Sequence, residues 1–231
     1  MCFSAGASFT GGIIISVIGV VTIKKVHKPT QIVFACIPLF FGFQQLVEGV
    51  VWLTIPVPEY AGMQKIATYS FQIMALVIWP LMIPFSVLHM EKSKKRQKIL
   101  FILLIMGAIL SLYYSYCLLF FNVNPQIKGY HVQYNNDFPI SLAMISFLFY
   151  LVVTITPLFV SSIKRTHLLA ILMTLSCLIT AIFFKQYLTS VWCFFAALIS
   201  MVILWILHDS RKTFNLEKLE LLLKPVIGKS D

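Results

Sequence analysis

The stretch QIVFACIPLFFGFQQLVEGVVWLT, residues 31–54, decides the fold. It is apolar almost throughout, and Glu48 is its only Asp, Glu, Lys or Arg. At about 1.5 Å rise per residue it spans the roughly 30 Å hydrocarbon layer of a bilayer, so it reads as a transmembrane helix rather than a core helix. Within it Gln45, Glu48, Gly49 and Trp52 recur at i, i+3, i+4 and i+7 and share one face, with Gly42 one turn earlier.

Six further runs of this kind flank it: 8–21, extendable to 23, then 66–89, 99–121, 138–162, 167–184 and 189–208. Composition agrees. Hydrophobic residues make up 59% of the chain and charged residues 11%, far below the roughly 25% of a soluble domain. The sequence therefore predicts an all-α integral membrane protein of seven transmembrane helices over residues 1–209. A cytoplasmic tail, 210–231, follows. Its Leu216, Leu219, Leu222, Leu223 and Val226 recur at helical spacing, which predicts an amphipathic segment lying on the membrane surface.

Cytoplasmic loops accumulate Lys and Arg. With the N-terminus outside and the C-terminus in the cytoplasm, only Lys65, Lys128 and Lys185 of the 18 cations fall on the outer face. The rest cluster beside helix ends, as at Lys24, Lys25 and Lys28, or Lys92, Lys94, Lys95, Arg96 and Lys98. Such juxtamembrane clusters meet anionic lipid head groups, so the net charge of +10 points to membrane lipids and not to nucleic acid. No cationic n-region precedes the first span and no lipoprotein-type Cys follows an apolar run, so neither a cleaved signal peptide nor a lipid anchor is expected.

Sliding the chain by about 140 residues aligns Ile23-Lys-Lys-Val-His27 with Ile163-Lys-Arg-Thr-His167, and nearby Cys36 with Cys177 and Gln45 with Gln186. This leaves open a 3+1+3 parallel repeat, a plan similar to that of SWEET and PQ-loop sugar transporters, although their Pro-Gln helix break is absent. Pro125-Gln126 lies instead in the long connector 122–137, whose polar and aromatic mixture suits a folded cap over the helices as well as a solvated connector, with the cap preferred.

Ionisable groups inside a span usually face the bundle or a wet cavity, which makes Glu48 the first candidate for function. The alternative is structural: Glu48 hydrogen-bonds Gln45 or a neighbouring Lys, and Trp52 anchors the interface. Gln45 and Trp52 beside Glu48, Gln72 and Trp79 in the third span, Tyr113 and Tyr116 in the fourth, His131 in the connector and Trp192 in the seventh complete the candidate binding set, and the third span also carries Pro80 and Pro84. Each proline removes a backbone hydrogen bond and bends its helix, which can open a cavity beside a polar face.

No metal site or cofactor is expected. His27, His89, His167 and His208 sit at cytoplasmic helix ends, none with a partner at helical ligand spacing. The seventh span has no Lys for a retinal Schiff base. The five cysteines lack paired spacing, though a bridge among Cys2, Cys117 and Cys193 is open on the outer side. Cys2 or Ser4 with His131 would supply a nucleophile and a base.

The opening Met1-Cys-Phe-Ser-Ala5, the run Gln44-Gln-Leu-Val-Glu-Gly-Val-Val-Trp52, Trp79-Pro80 and Trp192-Cys-Phe-Phe195 together resemble an uncharacterised family of bacterial multi-pass membrane proteins. That resemblance implies a multi-pass fold and an inner-membrane location, and carries no activity with it. From the residues alone three functions are open. The first is a small-molecule transporter or binding protein with an outward-facing polar pocket around Glu48. The second is a membrane-embedded hydrolase or thiol-dependent enzyme using Cys2 or Ser4 with His131. The third is a lipid-binding or sensory module without turnover.

The topology has a direct check. In a single-cysteine series, Asn135→Cys is expected to react with an impermeant thiol reagent from outside, and Ser93→Cys only after the membrane is permeabilised. Labelling of both from one side would overturn the seven-span arrangement.

Overall fold

A computed structural model describes residues 4–183 and 197–208. Ser4 caps the first helix, its hydroxyl accepting from the Ala7 N–H at 3.2 Å. Helix α1 covers Ala5–Lys24 and α2 covers Ile32–Thr54. A helical rod then runs from α3, Ala61–Gln72, through a π-helical segment, Ile73–Ile78, into α4, Trp79–Met90. It is followed by α5, Lys94–Phe120, strands β1, Val123–Lys128, and β2, His131–Asn136, then α6, Ile140–Val160, α7, Lys164–Phe183, and α8, Ala197–His208.

Among the described residues, five helical stretches are long and apolar enough to cross a membrane: Ala5–Lys24, Pro29–Thr54, Pro58–Met90, Lys94–Phe120 and Ile140–Val160. The sixth and seventh expected spans fall on α7 and on α8, whose preceding residues lie outside the description, as does the tail 210–231. The outward faces suit lipid. Leu112 and Leu119 are 71% and 80% exposed, a presentation that water would penalise along a whole helix. The buried core is shared: Phe34, Ile83, Leu100, Val153, Leu169 and Ile203 join six helices in one apolar cluster.

Small residues set how closely the first two helices approach. Gly12 on α1 faces Gly42 on α2, while Gly19 meets Leu39 and Gly49 meets the Phe9 ring. A Cβ at Gly19 would lie 2.7 Å from the Leu39 nitrogen, and one at Gly42 would lie 2.8 Å from the Ser16 nitrogen. Backbone-to-backbone packing of this kind is how helices associate where lipid is the solvent.

The irregularity in the third rod traces to Pro80, which has no N–H to offer the Leu76 carbonyl. The sequence reading places the disturbance at both prolines. In the structure it takes the form of the π segment one turn earlier, where the Trp79 N–H donates to the Met74 carbonyl, five residues back. Neighbouring helices donate to carbonyls of this segment. The Tyr150 hydroxyl of α6 donates to the Ala75 carbonyl at 2.7 Å, and the Ser111 hydroxyl of α5 donates to the Val77 carbonyl at 2.8 Å. Gly107 of α5 sits directly against the Pro80 carbonyl, where any Cβ would collide with it.

One expectation is corrected: the protein is not purely α-helical, because the connector 122–137 folds into an antiparallel β-hairpin. Gly129, with φ of 61°, makes the turn with Tyr130, and Lys128 pairs with His131. Glycine at the first central position is the mark of a type II′ turn, whose twist matches the flanking strands. Pro125 sits within β1, opposite Tyr134, where a two-stranded sheet tolerates it on an edge. The hairpin caps the bundle: Val132 is fully buried against Val51 and Ala67, and the Tyr134 ring stacks on Phe71 at 4.8 Å.

Gly107→Ala is expected to lower the thermal unfolding midpoint in detergent, by a destabilisation of about 1–3 kcal/mol typical of overpacking. Gly62→Ala is the control. A Cβ there meets nothing within 4 Å, so its midpoint should hold or rise.

Candidate functional site

Glu48 is fully buried, as are Gln45 on the turn before it and Gln44 beside them, at 0%, 0% and 2% exposure. All three come from α2 because one helical face turns inward over that half of the span, while Phe43 and Leu53 point outward. Glu48 therefore faces neither lipid nor bulk water. Trp52, half-buried, shares its face, and its indole Nε1 is buried with no hydrogen-bond partner among the described residues. Placing a carboxylate so deep is costly unless polar groups surround it.

Gln44, which sequence spacing did not select, makes the decisive contact of this region. Its Oε1 accepts from the Trp79 indole N–H at 2.8 Å, and Phe41, one turn earlier, stacks on the Trp79 ring at 4.2 Å. Trp79 thus latches α2 to the start of α4, directly beside the π segment. The signal was legible: a buried indole N–H demands an acceptor. Which of two adjacent glutamines supplies it depends on helix rotation.

On α3, Thr68 and Gln72 are each 1% exposed. Neither the Thr68 hydroxyl nor the Gln72 amide has a hydrogen-bond partner among the described residues. Above them, a polar cleft of about 460 Å³ opens between α3 and β1, lined in part by Lys65, Thr68, Tyr69 and Asn124. Two more clefts are apolar. One of about 500 Å³ lies between α2, α4 and α5, with Val33, Cys36, Ile78 and Leu104 in its walls. The other, of about 280 Å³, lies between α5 and α6 and includes Tyr113. Glu48 lines none of these three.

The remaining candidates divide. Tyr113 leans on Tyr114 at 5.2 Å, whereas Tyr116 is 55% exposed and packs on Phe120 at 4.6 Å. Neither is gathered with Glu48 by any of these contacts. His131 opens β2 on the hairpin, and burial pushes its imidazole pKa down. Ser4 is occupied as the α1 cap and is exposed. Trp192, Cys2 and Cys193 lie outside the described residues. Cys117 is a buried free thiol.

At the opposite end of the bundle the structure assigns a role that spacing did not reveal. Glu91, 4% exposed, follows α4 and ties two turns together. Its Oε1 accepts from the backbone N–H groups of Lys92 and Ser93, both at 2.9 Å. Its Oε2 accepts from the Ser162 N–H at 2.6 Å, across the α6–α7 turn. Its carbonyl takes the Gln97 amide at 2.7 Å. Burial alone would raise its pKa, but the N–H groups of Ser93, Ser162 and Lys92 outweigh it and hold the carboxyl below the usual carboxylate range. In the same turn, His167 Nε2 lies 3.0 Å from the Ser161 carbonyl.

A bundle of apolar rods around a few buried polar side chains defines a helical membrane protein. The chain belongs to a family of unknown function, DUF6629, which it matches over residues 1–217. No curated protein and no solved structure matches it.

Because the Glu91 carboxyl is depressed in the folded state, its stabilisation is complete above the ordinary carboxylate range and is lost as pH falls through the lowered value. Glu91→Gln is expected to destabilise the protein at pH 7 by about 1–3 kcal/mol, since its NH2 would confront backbone donors. Acidification below about pH 4 should then lower the midpoint of the variant less than that of the wild type. Equal acid sensitivity would show that other carboxyls control it.

Proposed function

We infer that this protein is a small-molecule carrier or binding protein of the cell membrane, with a polar pocket built on the inward face of α2 and Glu48 as its anchor. The observation that carries the reading is the complete burial of Glu48 within a membrane-length helix, on one face with Gln45 and Trp52. A protein that needed only a stable bundle could fill that volume with an apolar side chain at no electrostatic cost. Gln72 adds buried polar capacity on α3, the next helical element.

The cation distribution supports an orientation with the hairpin outside and the Glu91 end in the cytoplasm. In that orientation the pocket opens outward beneath the hairpin, and His131, Gln133 and Tyr134 form its rim. A 3+1+3 arrangement of spans, with α5 as the connector, belongs to the same reading. The capping bond that occupies Ser4 favours binding over a nucleophilic reaction at that hydroxyl.

Glu48→Gln keeps the shape and removes the charge. Native mass spectrometry of the protein released from nanodiscs is expected to find a small polar molecule on the wild type and to lose it, by about tenfold or more in occupancy, in the variant. The thermal midpoint should hold or rise, because a costly buried charge has gone. Unchanged occupancy in the variant, or a wild type that retains no small molecule, would overturn the pocket.

A further inference from the structure

The polar cleft between α3 and β1 is a site in its own right. Its volume of about 460 Å³ lies within the roughly 300–1,000 Å³ of small-molecule pockets. One wall is Lys65, Thr68 and Tyr69, at i, i+3 and i+4 on α3. The other is the chain from Asn122 to Gln126, in which Asn124 and Gln126 alternate along β1 and so point to the same side of the hairpin. The walls are held together: the Tyr69 hydroxyl donates to the Phe121 carbonyl at 3.3 Å, and β2 is packed on α2 and α3 through Val132 and Tyr134.

Thr68 points to a ligand. Thr22, Thr54, Thr154, Thr174 and Thr180 each satisfy their hydroxyl by donating to the carbonyl four residues back in their own helix. Thr68 departs from that habit. It is 1% exposed, its Oγ1 has no partner among the described residues, and it lines the cleft. A buried hydroxyl left so is destabilising, and a polar atom entering the cleft would recover that cost.

The chemistry of the walls narrows what enters. Lys65 is the only charged side chain among the lining residues, and no carboxylate accompanies it. That arrangement rejects cations and leaves room for one anionic group. The amides of Asn122, Asn124 and Gln126 both donate and accept, as hydroxyl groups do. We propose that the α3–β1 cleft binds a hydroxylated phosphate, with the phosphate on Lys65 and a hydroxyl or ester oxygen on Thr68. Both a soluble polyol phosphate and a phospholipid head group such as phosphatidylglycerol carry this chemistry.

The full chain in phosphatidylcholine nanodiscs would be titrated with glycerol 3-phosphate, followed by phosphorus NMR. In a second arm, nanodiscs containing phosphatidylglycerol would be analysed by native mass spectrometry for retained lipid. Binding in the first arm identifies a soluble ligand, and retention in the second without binding in the first identifies the head group. Lys65→Met and Thr68→Val should each weaken that binding by about tenfold, whereas Glu48→Gln should leave it unchanged. Thr68→Val removes an unpartnered hydroxyl without changing side-chain shape, so its thermal midpoint should hold or rise and loss of binding cannot be ascribed to misfolding. Absence of binding in both arms, or binding undiminished in both cleft variants, overturns the proposal.

Discussion

In a bundle whose solvent is lipid, every backbone N–H and C=O must find its partner within the protein. The turn before Pro80 is where this constraint shapes the fold most visibly. A proline there removes a donor, the helix widens into the Ile73–Ile78 π segment, and carbonyls of that segment become available to other helices. Tyr150 and Ser111 take two of them, which fixes the rotation and depth of α6 and α5 against the third rod. Gly107 is then required opposite the Pro80 carbonyl, since the helices that supply these donors must approach to backbone contact.

The same constraint governs the polar side chains. The Trp79 indole reaches Gln44 rather than lipid, and the Glu91 carboxylate is surrounded by backbone N–H groups at the other end of the rod. These two residues flank α4, so one rod carries both an amide latch and an anionic clamp. Their energetic characters differ. The indole–amide pair is neutral and indifferent to pH over the physiological range, whereas the clamp holds only while Glu91 is ionised.

Much of this architecture is legible in the sequence because burial in a membrane leaves long uncharged runs. The stretch 31–54 and its counterparts to α6 give the helices within a few residues, and the breaks at Pro29, Pro58 and 91–93 separate them. The hairpin was hidden for a physical reason: Pro125 within β1 and a polar face on both strands conceal the two-residue period that marks a strand. Glu48 and Gln45 stood out because a charge in an apolar run is conspicuous. Gln44 did not, since choosing between neighbouring glutamines requires the position of Trp79, 35 residues away. Glu91 was equally opaque. Its partners are backbone N–H groups of two turns, and backbone groups carry no sequence signature.

These contacts also group the helices. The glycine seam makes α1 and α2 one body, because sliding them would drive Leu39 and Ser16 into backbone. Glu91 binds the α4–α5 turn to the α6–α7 turn, which makes a second body of those helices at that end. Besides the apolar core that Phe34 shares with Ile83, the Gln44–Trp79 hydrogen bond and the Phe41–Trp79 stack join the two bodies, and an apolar groove of about 500 Å³ runs between α2, α4 and α5. The Trp79 indole is thus the point at which the inward face of α2, which also carries Glu48, is tied by a hydrogen bond to the second body.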